Sequence, residues 1–376
     1  MFSLHIDAGR DWRGTQRQTM YTVLGLRTAG HRAALVGQPR SPLLQRMSEG
    51  LDLIPLDMRR EIDLEAAWRL SRVIKQLAPD VVHAHDLDAA GITATALSIV
   101  SGETRPSFVL SQRRDTPLSR QSFSRWTYTQ VDAAIASTSI IRDRMRADGL
   151  PRDKTHVIYD SVDADRVAHM PAANVHAELF LPTHAPIVGN IGSLVPDKGH
   201  RHFVDAAARV VKEVPDARFV IFGDGELRQS LHDQVHHAHL ERHVYFAGFR
   251  ANALELIKGC DLVAIASVRE ATCTTAMDAM AASKALVATA VGATPEIVAD
   301  GETGFLVPPH DDRALAMRIT LLLRNDTLRR RMEREAARRV RAHFSVERMV
   351  DAIAAVYERL VDTRRAADTA NPVAPD

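Results

Sequence analysis

The stretch from residue 262 to residue 296 constrains the fold of this 376-residue chain more than any other. It begins with the apolar run LVAIAS at residues 262–267, which lacks helical spacing and therefore predicts a buried strand. Residues 274–282 are rich in Ala and Met, a composition that favours a helix. The loop between them carries Glu270, which is thereby predicted to lie at a strand-to-helix junction of an α/β protein.

This predicted junction offers binding groups for an anion and for hydroxyls. The first N–H groups of a helix have no partner within the helix, and the helix dipole adds positive potential, so a phosphate can bind near Thr274 and Thr275. Cys273, just before this helix, has a small side chain and therefore leaves the backbone N–H groups at the helix start accessible. Glu270 and Asp278 supply acceptors for the hydroxyls of a sugar or ribose, which together with a phosphate indicates a nucleotide sugar. On spacing alone, the favoured alternative is a helix cap and a solvated carboxylate.

The junction is the first part of a longer pattern that covers residues 270–309. EATCTTAMDAMA is followed, after two residues, by KALVATAVGATPEIVADGETGFLVPP. This pattern resembles that of the retaining family-4 glycosyltransferases of GT-B fold. The resemblance implies that a nucleotide sugar binds at this helix start, with Glu270 at the sugar and Asp278 at the ribose.

The same resemblance implies an α/β fold of two Rossmann-like parallel-sheet domains facing a cleft. The length agrees, because 376 residues at about 150 per domain correspond to two domains. We expect an acceptor-binding domain at residues 1–170 and a nucleotide-sugar-binding domain at residues 171–345. The resemblance also implies that a terminal helix, predicted at about 346–362 from its apolar face, packs back on the first domain. Residues 363–376 lack periodicity and are expected to be disordered.

Composition narrows the partners and the compartment. The net charge of +1 indicates no general attraction to nucleic acid. Two cysteines are too few for a disulfide framework, and the first residues form a short strand interrupted by polar groups rather than a signal peptide. No window reaches the roughly 18 continuous apolar residues of a membrane span. We expect a cytoplasmic protein, and leave open a peripheral contact with the inner face of the cytoplasmic membrane.

The loop at residues 13–18, RGTQRQ, follows the first predicted strand. In the resembled family this loop contains two glycines whose amides approach the donor phosphates or the acceptor. The resemblance therefore implies donor binding at Gly14 and acceptor binding at Gln18, although Thr15 replaces the second glycine. Without the resemblance, we favour a plain turn in which Gly14 adopts a positive φ.

Two histidines alternate at the end of another predicted strand, in the segment PDVVHAHD at residues 79–86. The two-residue period of a strand places His83 and His85 on one face, and ligands bind at the carboxyl ends of strands in open α/β sheets. Spacing alone favours a pair of core histidines. The resemblance implies instead that His85 contacts the transferring sugar or the acceptor.

Arginines are concentrated between residues 105 and 125, where five of them accompany one aspartate. Arginine binds phosphate and carboxylate bidentately, and interleaved aromatic residues suit an amphiphilic ligand. We therefore predict that Arg113 and Arg114 bind an anionic acceptor, a glycan or a lipid-linked molecule. A solvated basic helix with its aromatic residues packed inward is an equally favoured alternative.

The second domain repeats the α/β pattern from residue 187 and carries GSLVPDKG at residues 192–199. The resemblance implies that Gly192 and Lys198 contact the donor diphosphate and that Phe249 lies against the base. Ser193 replaces an arginine of the family pattern, a loss of one charged contact worth about 1–3 kcal/mol. The histidine-rich stretch at residues 232–243 is better explained as a solvated helix face than as a metal site.

These features predict a retaining glycosyltransferase that moves a hexose or related sugar from a nucleotide diphosphate sugar to an envelope polysaccharide, lipid-linked or small acceptor. Glu270 and His85 are the predicted catalytic residues, and neither a metal nor a cofactor is expected. Two alternatives stay open, a non-catalytic nucleotide-sugar-binding protein and a GT-B nucleotide-sugar epimerase. The first is suggested by four departures from the family pattern, at Ser193, Ala271, Ser283 and Ala293.

Overall fold

The computed structural model describes residues 1–47, 51–100, 105–115 and 122–370. The chain divides into two compact units. Unit 1 comprises Met1–Ser161 together with the chain from Val346 onward, and unit 2 comprises Val162–Ser345. Each unit contains one sheet in which the strands pair in parallel.

Unit 1 is built on a seven-stranded sheet with the order β3-β2-β1-β4-β5-β6-β7. Its strands are β1 (Phe2–Asp7), β2 (Arg32–Gly37), β3 (Asp52–Pro55), β4 (Val81–Ala84), β5 (Ser107–Gln112), β6 (Ala133–Ala136) and β7 (Thr155–Val157). Its helices are α1 (Gly14–Thr28), α2 (Pro42–Arg46), α3 (Leu64–Leu77), α4 (Leu87–Ile99), α5 (Ser122–Thr129), α6 (Ser139–Ala147) and, at the end of the chain, α16 (Val346–Ala370).

Unit 2 is built on a six-stranded sheet with the order β10-β9-β8-β11-β12-β13. Its strands are β8 (Ile187–Ile191), β9 (Arg218–Phe222), β10 (Val244–Gly248), β11 (Leu262–Ile265), β12 (Leu286–Thr289) and β13 (Phe305–Val307). Its helices are α7 (Ala164–His169), α8 (Val175–Glu178), α9 (His200–Glu213), α10 (Arg228–His237), α11 (Ala253–Gly259), α12 (Thr274–Ala281), α13 (Thr294–Ile297), α14 (Asp312–Arg324) and α15 (Asp326–His343), with a 3-10 helix at Pro196–Lys198.

Each sheet has one point at which the strand order reverses. In unit 1 it lies between β1 and β4, and in unit 2 between β8 and β11. Loops that leave neighbouring strands here run to opposite faces of the sheet and open a crevice at the carboxyl ends, where ligands of doubly wound sheets bind. We therefore expect ligand-binding residues in the loops after β1 and β4 in unit 1 and after β8 and β11 in unit 2.

The terminal helix α16 belongs to the core of unit 1. Its apolar residues, including Val350, Ile353 and Tyr357, are buried with Tyr21 and Leu26 of α1. Gly25 of α1 lies against this helix, because a Cβ there would be 2.3 Å from a methyl of Val350. Helix α16 therefore closes one face of the first sheet. Among the described residues, no helix is both long enough and apolar enough to cross a membrane.

The structure moves the expected boundary between the two domains. Residues 162–170 belong to unit 2, because the Val162 N–H donates to the Phe344 carbonyl and Lys258 donates to the carbonyls of Val167, Ala168 and Met170. The domain boundary predicted at residue 170 therefore moves to Ser161.

Two local expectations were also wrong. Gly14 is the first residue of α1 and does not have a positive φ, so the plain-turn interpretation of the 13–18 loop fails. The expected disordered tail is helical as far as Ala370, since α16 continues with Thr363 Oγ1 donating to the Arg359 carbonyl at 2.8 Å. Residues 371–376 lie outside the described part of the chain.

Candidate active site

Glu270 lies in the loop after β11, at the reversal point of the second sheet. Its carboxylate oxygen Oε2 accepts from Lys198 Nζ at 2.7 Å and from Ser267 Oγ at 3.0 Å. The Glu270 side chain is only 9% exposed, whereas that of Lys198 is 30% exposed. The loops after β8 and β11 thus meet in one ion pair, whose carboxylate is fixed and whose ammonium is reached more easily by a ligand.

Backbone contacts hold the Glu270 loop from the side of β12. Gly292 has a φ of +53°, and a Cβ there would lie 1.6 Å from the Glu270 carbonyl oxygen. That same oxygen accepts the N–H of Ala293 at 3.0 Å. Glycine is therefore needed at residue 292 for both the backbone conformation and the close approach of the loop.

The Lys198 segment is held against the same loop from the side of β8. The Asp197 carbonyl accepts the N–H groups of Val268 and Arg269, at 2.8 and 3.2 Å. Gly199, with a φ of +60°, lies where a Cβ would be 2.0 Å from the Ala266 carbonyl oxygen. The Lys198–Glu270 pair consequently rests on a backbone frame made by three loops.

The helix predicted at residues 274–282 is observed as α12, which begins at Thr274. Cys273 precedes it in the left-handed conformation, with φ 50°, and makes no side-chain cap. Its thiol is buried beside Thr294 Oγ1, and burial raises its pKa to about 12. The Cys273 side chain therefore packs inward, so its predicted contact with the donor could involve only the backbone. Thr274 and Thr275 are half-buried.

The other predicted donor residues of unit 2 follow strand ends of the same sheet or lie in α12. Gly192 comes directly after β8, and a Cβ on it would contact the stem of Lys198 at 3.6 Å. Phe249 comes directly after β10 and is 77% exposed. Asp278 is half-buried in α12. Because parallel strands end at one edge of the sheet, Gly192, Phe249 and the Glu270 loop share that edge.

In unit 1, three histidines meet at the reversal point between β1 and β4. His5 pairs with His83 in the register of the two strands, and His85 follows β4 on the same face. His5 Nδ1 lies 2.9 Å from His85 Nε2, and the His83 and His85 ring centroids are 4.2 Å apart. All three rings are buried. The predicted shared face of His83 and His85 is confirmed, whereas His5 was treated only as an interruption of the first strand.

Burial determines the charge of these histidines. It lowers the pKa of His5 to about 3 and holds the pKa of His83 and of His85 well below 6.5. The rings are therefore neutral near pH 7. His83 Nδ1 lies 2.5 Å from the Tyr357 hydroxyl, and His83 Nε2 lies 2.8 Å from Ser111 Oγ.

The three histidines also form the one group of three or more metal-ligand side chains found within the described residues. Their ligand atoms lie within 4.8 Å of one another. In the structure five of the six ring nitrogens bond to one another or to hydroxyls, and among the described residues only His85 Nδ1 is left without a partner, so a hydrogen-bond network accounts for the cluster. The histidine-rich stretch at 232–243 contributes no such group in the described chain, and His232 stacks on Phe246 with centroids 4.0 Å apart.

Two carboxylates fix the loops around this cluster. Asp7 accepts from Thr19 Oγ1 at 2.7 Å and from the Gly9 N–H at 2.9 Å. Asp86 accepts the N–H groups of Ala8 and Ala89, both at 2.8 Å. Burial and the neighbouring Asp7 raise the pKa of Asp86 to about 7. The loop after β1 is thereby tied to the end of β4.

The structure corrects two of the predicted acceptor residues. Gln18 is fully buried, and its amide donates to the Ser161 carbonyl at 2.8 Å and accepts the Ser161 N–H at 2.9 Å. Arg113 is buried in an ion pair with Asp160, Nε to Oδ1 2.8 Å. Both residues are thus occupied in holding unit 1 together, whereas Arg114 is exposed. Gly14 is the first residue of α1, so it directly follows the loop of residues 8–13 that leaves β1, and most of the 13–18 segment is helical.

Comparison with known proteins identifies the family of the chain. A family model described as glycosyl transferases group 1 matches residues 172–339, and one described as glycosyltransferase family 4 matches residues 12–166. The chain is a group 1 glycosyltransferase. The two models together span the loops that carry His85, Lys198 and Glu270.

Two curated relatives of this glycosyltransferase are named for different activities. It is 26% identical over 367 residues to alpha-D-kanosaminyltransferase of Streptomyces kanamyceticus, a match that covers 88% of this chain and 95% of that protein. It is also 26% identical to the lipopolysaccharide core biosynthesis glycosyltransferase LpsD of Rhizobium meliloti, over 79% of this chain and 80% of that one.

Solved structures show the same fold. Anabaena Alr3699/HepE in complex with UDP-glucose matches with a TM-score of 0.80 at 22% identity, covering 96% of this chain and 100% of that one. A glycosyltransferase from Rickettsia africae matches with a TM-score of 0.83 at 19% identity, covering 96% and 98%. The predicted architecture of two parallel-sheet α/β domains, as in GT-B glycosyltransferases, is confirmed.

Proposed function

We propose that this glycosyltransferase moves a hexose or a related sugar from a nucleotide diphosphate sugar to an acceptor hydroxyl, with retention at the anomeric carbon. The observation that carries the proposal is the Lys198–Glu270 pair, 2.7 Å apart, at the reversal point of the second sheet and just before α12. A cation, a carboxylate and a helix start suit a ligand that combines a diphosphate with sugar hydroxyls.

In this proposal the donor is held by unit 2. Negative charge develops on the diphosphate as the glycosidic bond breaks, and Lys198 and the first N–H groups of α12 stabilise it. Glu270 contacts the sugar, Asp278 the ribose and Phe249 the base. These protein groups stabilise the leaving diphosphate without a cofactor or a divalent metal. The Anabaena crystal structures contain UDP and UDP-glucose, which supports a uridine diphosphate sugar as the first donor to test.

Unit 1 contributes His85 to the reacting sugar or to the acceptor. The acceptor is an envelope polysaccharide, a lipid-linked molecule or a small molecule, and the relationship to LpsD supports an envelope glycan. Arg114 remains a candidate contact for an anionic acceptor, because its side chain is exposed. Such an acceptor would bring the enzyme to the inner face of the cytoplasmic membrane.

Thermal shift with UDP-, GDP- and ADP-hexoses identifies the donor, and transfer of the stabilising donor to a panel of glycan acceptors tests the reaction. We expect stabilisation by one nucleotide class and a product whose anomeric proton coupling matches that of the donor. Inversion would contradict the retaining mechanism. Binding without hydrolysis or transfer would favour a non-catalytic nucleotide-sugar-binding protein, and an epimerised donor without acceptor would favour an epimerase.

Glu270→Gln is the matched variant for this assay. It keeps the length of the side chain and a hydrogen-bonding oxygen but removes the negative charge beside Lys198. We expect transfer to fall by at least about 100-fold, because the lost interaction acts on the transition state. Full activity in Glu270→Gln would remove Glu270 from the proposed mechanism.

A further inference from the structure

A chain of three side chains leads through the interior of unit 1 to His85. Ser3 Oγ lies 2.9 Å from His5 Nε2, and His5 Nδ1 lies 2.9 Å from His85 Nε2. Ser3 and His5 alternate on β1, so both face the same side of the sheet as His85. The strands that carry them pair directly, with His5 opposite His83.

Building on the transfer function proposed above, we propose that Ser3 and His5 are positioning residues that fix the ring orientation and the tautomer of His85. The chain ends on His85 Nδ1, which is buried and has no hydrogen-bond partner among the described residues. In a largely satisfied network this nitrogen is the atom left to meet a ligand.

The direction of the hydrogen bonds follows from the buried hydroxyl. Ser3 is 1% exposed, and its hydroxyl contacts only His5 within the described chain. If it accepted from His5, two buried groups would lack a partner, the Ser3 proton and His85 Nδ1, whereas the opposite direction leaves only His85 Nδ1 unpaired and so saves about 1–3 kcal/mol. The Ser3 hydroxyl therefore donates to His5 Nε2.

The tautomers of both histidines are then determined. A neutral imidazole has one donor nitrogen and one acceptor nitrogen. His5 accepts at Nε2, so it carries its proton on Nδ1 and donates to His85 Nε2. His85 in turn carries its proton on Nδ1.

This assignment gives His85 a definite role. Its Nδ1 donates a hydrogen bond, so it recognises an oxygen acceptor such as a sugar hydroxyl, a ring oxygen or a phosphate oxygen. It does not act as a base through that nitrogen. Because Nε2 is engaged by His5, His85 orients a substrate oxygen and leaves proton removal from the acceptor hydroxyl to another group.

A second hydroxyl–histidine pair in the same unit provides a control. Ser111 Oγ lies 2.8 Å from His83 Nε2, and Ser111 is also 1% exposed. Its chain continues through His83 Nδ1 to the Tyr357 hydroxyl rather than to His85. Ser111→Ala and Ser3→Ala therefore each remove one buried hydroxyl from a histidine in the sheet, but only Ser3→Ala affects the chain that ends on His85.

Nitrogen-15 NMR of the histidine side chains in the full-length protein at neutral pH tests the assignment without any substrate, with His85→Gln identifying the His85 signals. We expect a protonated Nδ1 and an unprotonated Nε2 on His85. Ser3→Ala should shift these signals toward a mixture of tautomers, while Ser111→Ala should leave them unchanged. Finding the proton on Nε2 of His85, or no change in Ser3→Ala, would overturn the proposal.

Steady-state kinetics, with the donor that the thermal-shift screen selects, separates positioning from a merely structural effect. Ser3→Ala should lower kcat about 10-fold, the effect of one lost hydrogen bond, with the KM for the donor and the UDP affinity within about twofold. An equal loss of kcat in Ser111→Ala would mean that both serines only stabilise unit 1. If no donor is transferred by the wild type, the proposed function fails, and the NMR result still decides the tautomer.

Discussion

The two units carry their candidate chemistry at the same place in their sheets but hold it by different means. In unit 2, the Glu270 loop is fixed by the backbone, through close contacts at Gly199 and Gly292 and through the Asp197 carbonyl. In unit 1, His85 is fixed by side chains that come from distant parts of the sequence. One site therefore depends on local conformation and the other on the register between β1 and β4.

This difference determines how each site should respond to change. A backbone-built site tolerates substitutions around it as long as the glycines remain. A site built from buried polar side chains fails when a single partner is removed, because the partner left behind is buried and unsatisfied. The following predictions test this contrast, starting with the largest expected effect.

The largest effect is expected at the buried ion pair of unit 1. Arg113 and Asp160 are 5% and 3% exposed, and removing one partner leaves the other charge buried alone. Arg113→Met should lower the free energy of unfolding by about 3–5 kcal/mol. Urea unfolding followed by tryptophan fluorescence measures this for unit 1 alone, since Trp12, Trp68 and Trp126 all lie in it.

Arg114→Met is the matched control for this prediction. Arg114 is the neighbouring residue and is exposed, so its removal should change the stability by less than about 0.5 kcal/mol. Similar losses in both variants would mean that unit 1 does not depend on its buried pair. An acceptor affinity that falls in Arg114→Met but not in Arg113→Met would support the corrected placement of the acceptor contact.

The next effect concerns the backbone frame of unit 2. Gly292→Ala places a Cβ 1.6 Å from the Glu270 carbonyl and requires a left-handed alanine, so we expect a loss of about 2–3 kcal/mol and of most transfer activity. Gly301→Ala has the same sign of φ, +74°, but meets no atom within 4 Å, so it should cost about 1 kcal/mol or less. Calorimetric unfolding compares the two, and equal losses would show that the contact with Glu270 is unimportant.

The same contrast explains what could be predicted from the sequence. The strand at 262–267 and the helix at 274–282 are observed as β11 and α12, because each is specified by its own composition. Lys198 and Glu270 were predicted to share one site because the motifs that carry them resemble those of the glycosyltransferase family. Their direct ion pair was not predicted, since no local pattern links residues 72 apart.

Unit 1 could be predicted less completely for a physical reason. The two-residue period placed His83 and His85 on one face, but their neighbours His5, Ser111 and Tyr357 come from β1, β5 and α16. Only the order of the strands brings these residues together. Gln18 and Arg113 were misassigned for the same reason, because their partners Ser161 and Asp160 lie at the end of the unit. The alternating polar residues Ser3, His5 and Asp7 of the buried strand β1 were the local signal of the network.

A smaller effect is expected at the cation of unit 2. Lys198→Met removes one charged contact to a diphosphate, worth about 1.5–3 kcal/mol, which corresponds to a loss of UDP affinity of about 10- to 150-fold. Lys212→Met removes an exposed lysine at the end of α9 and should leave the affinity unchanged. Isothermal calorimetry with UDP makes the comparison. If Lys198→Met binds UDP as well as the wild type, Glu270 rather than the diphosphate is the functional partner of this lysine.

The smallest expected effect is the pH dependence that His5 gives to the stability of unit 1. Burial lowers the pKa of His5 to about 3, whereas an imidazole in the unfolded chain titrates near 6.5. Between these values the unfolded state binds more protons, so stability falls as the pH falls below about 6.5. His5 alone should account for about 1 kcal/mol between pH 6.5 and pH 5.5. Replacing it by asparagine keeps a hydrogen-bonding group near the position of Nδ1 and removes the titration.

His83 and His85 remain in His5→Asn, and burial rather than His5 is the main cause of their low pKa values, so the difference between the wild type and the variant reports mainly the titration of His5. The free energy of unfolding of unit 1, followed by tryptophan fluorescence, should decline less steeply in the variant between about pH 6.5 and pH 5.5. Parallel pH profiles would show that His5 does not lose a proton on folding. The neutral hydrogen-bond chain from Ser3 to His85 would then be excluded, and unit 1 would resemble unit 2 in holding a charged group at its reversal point.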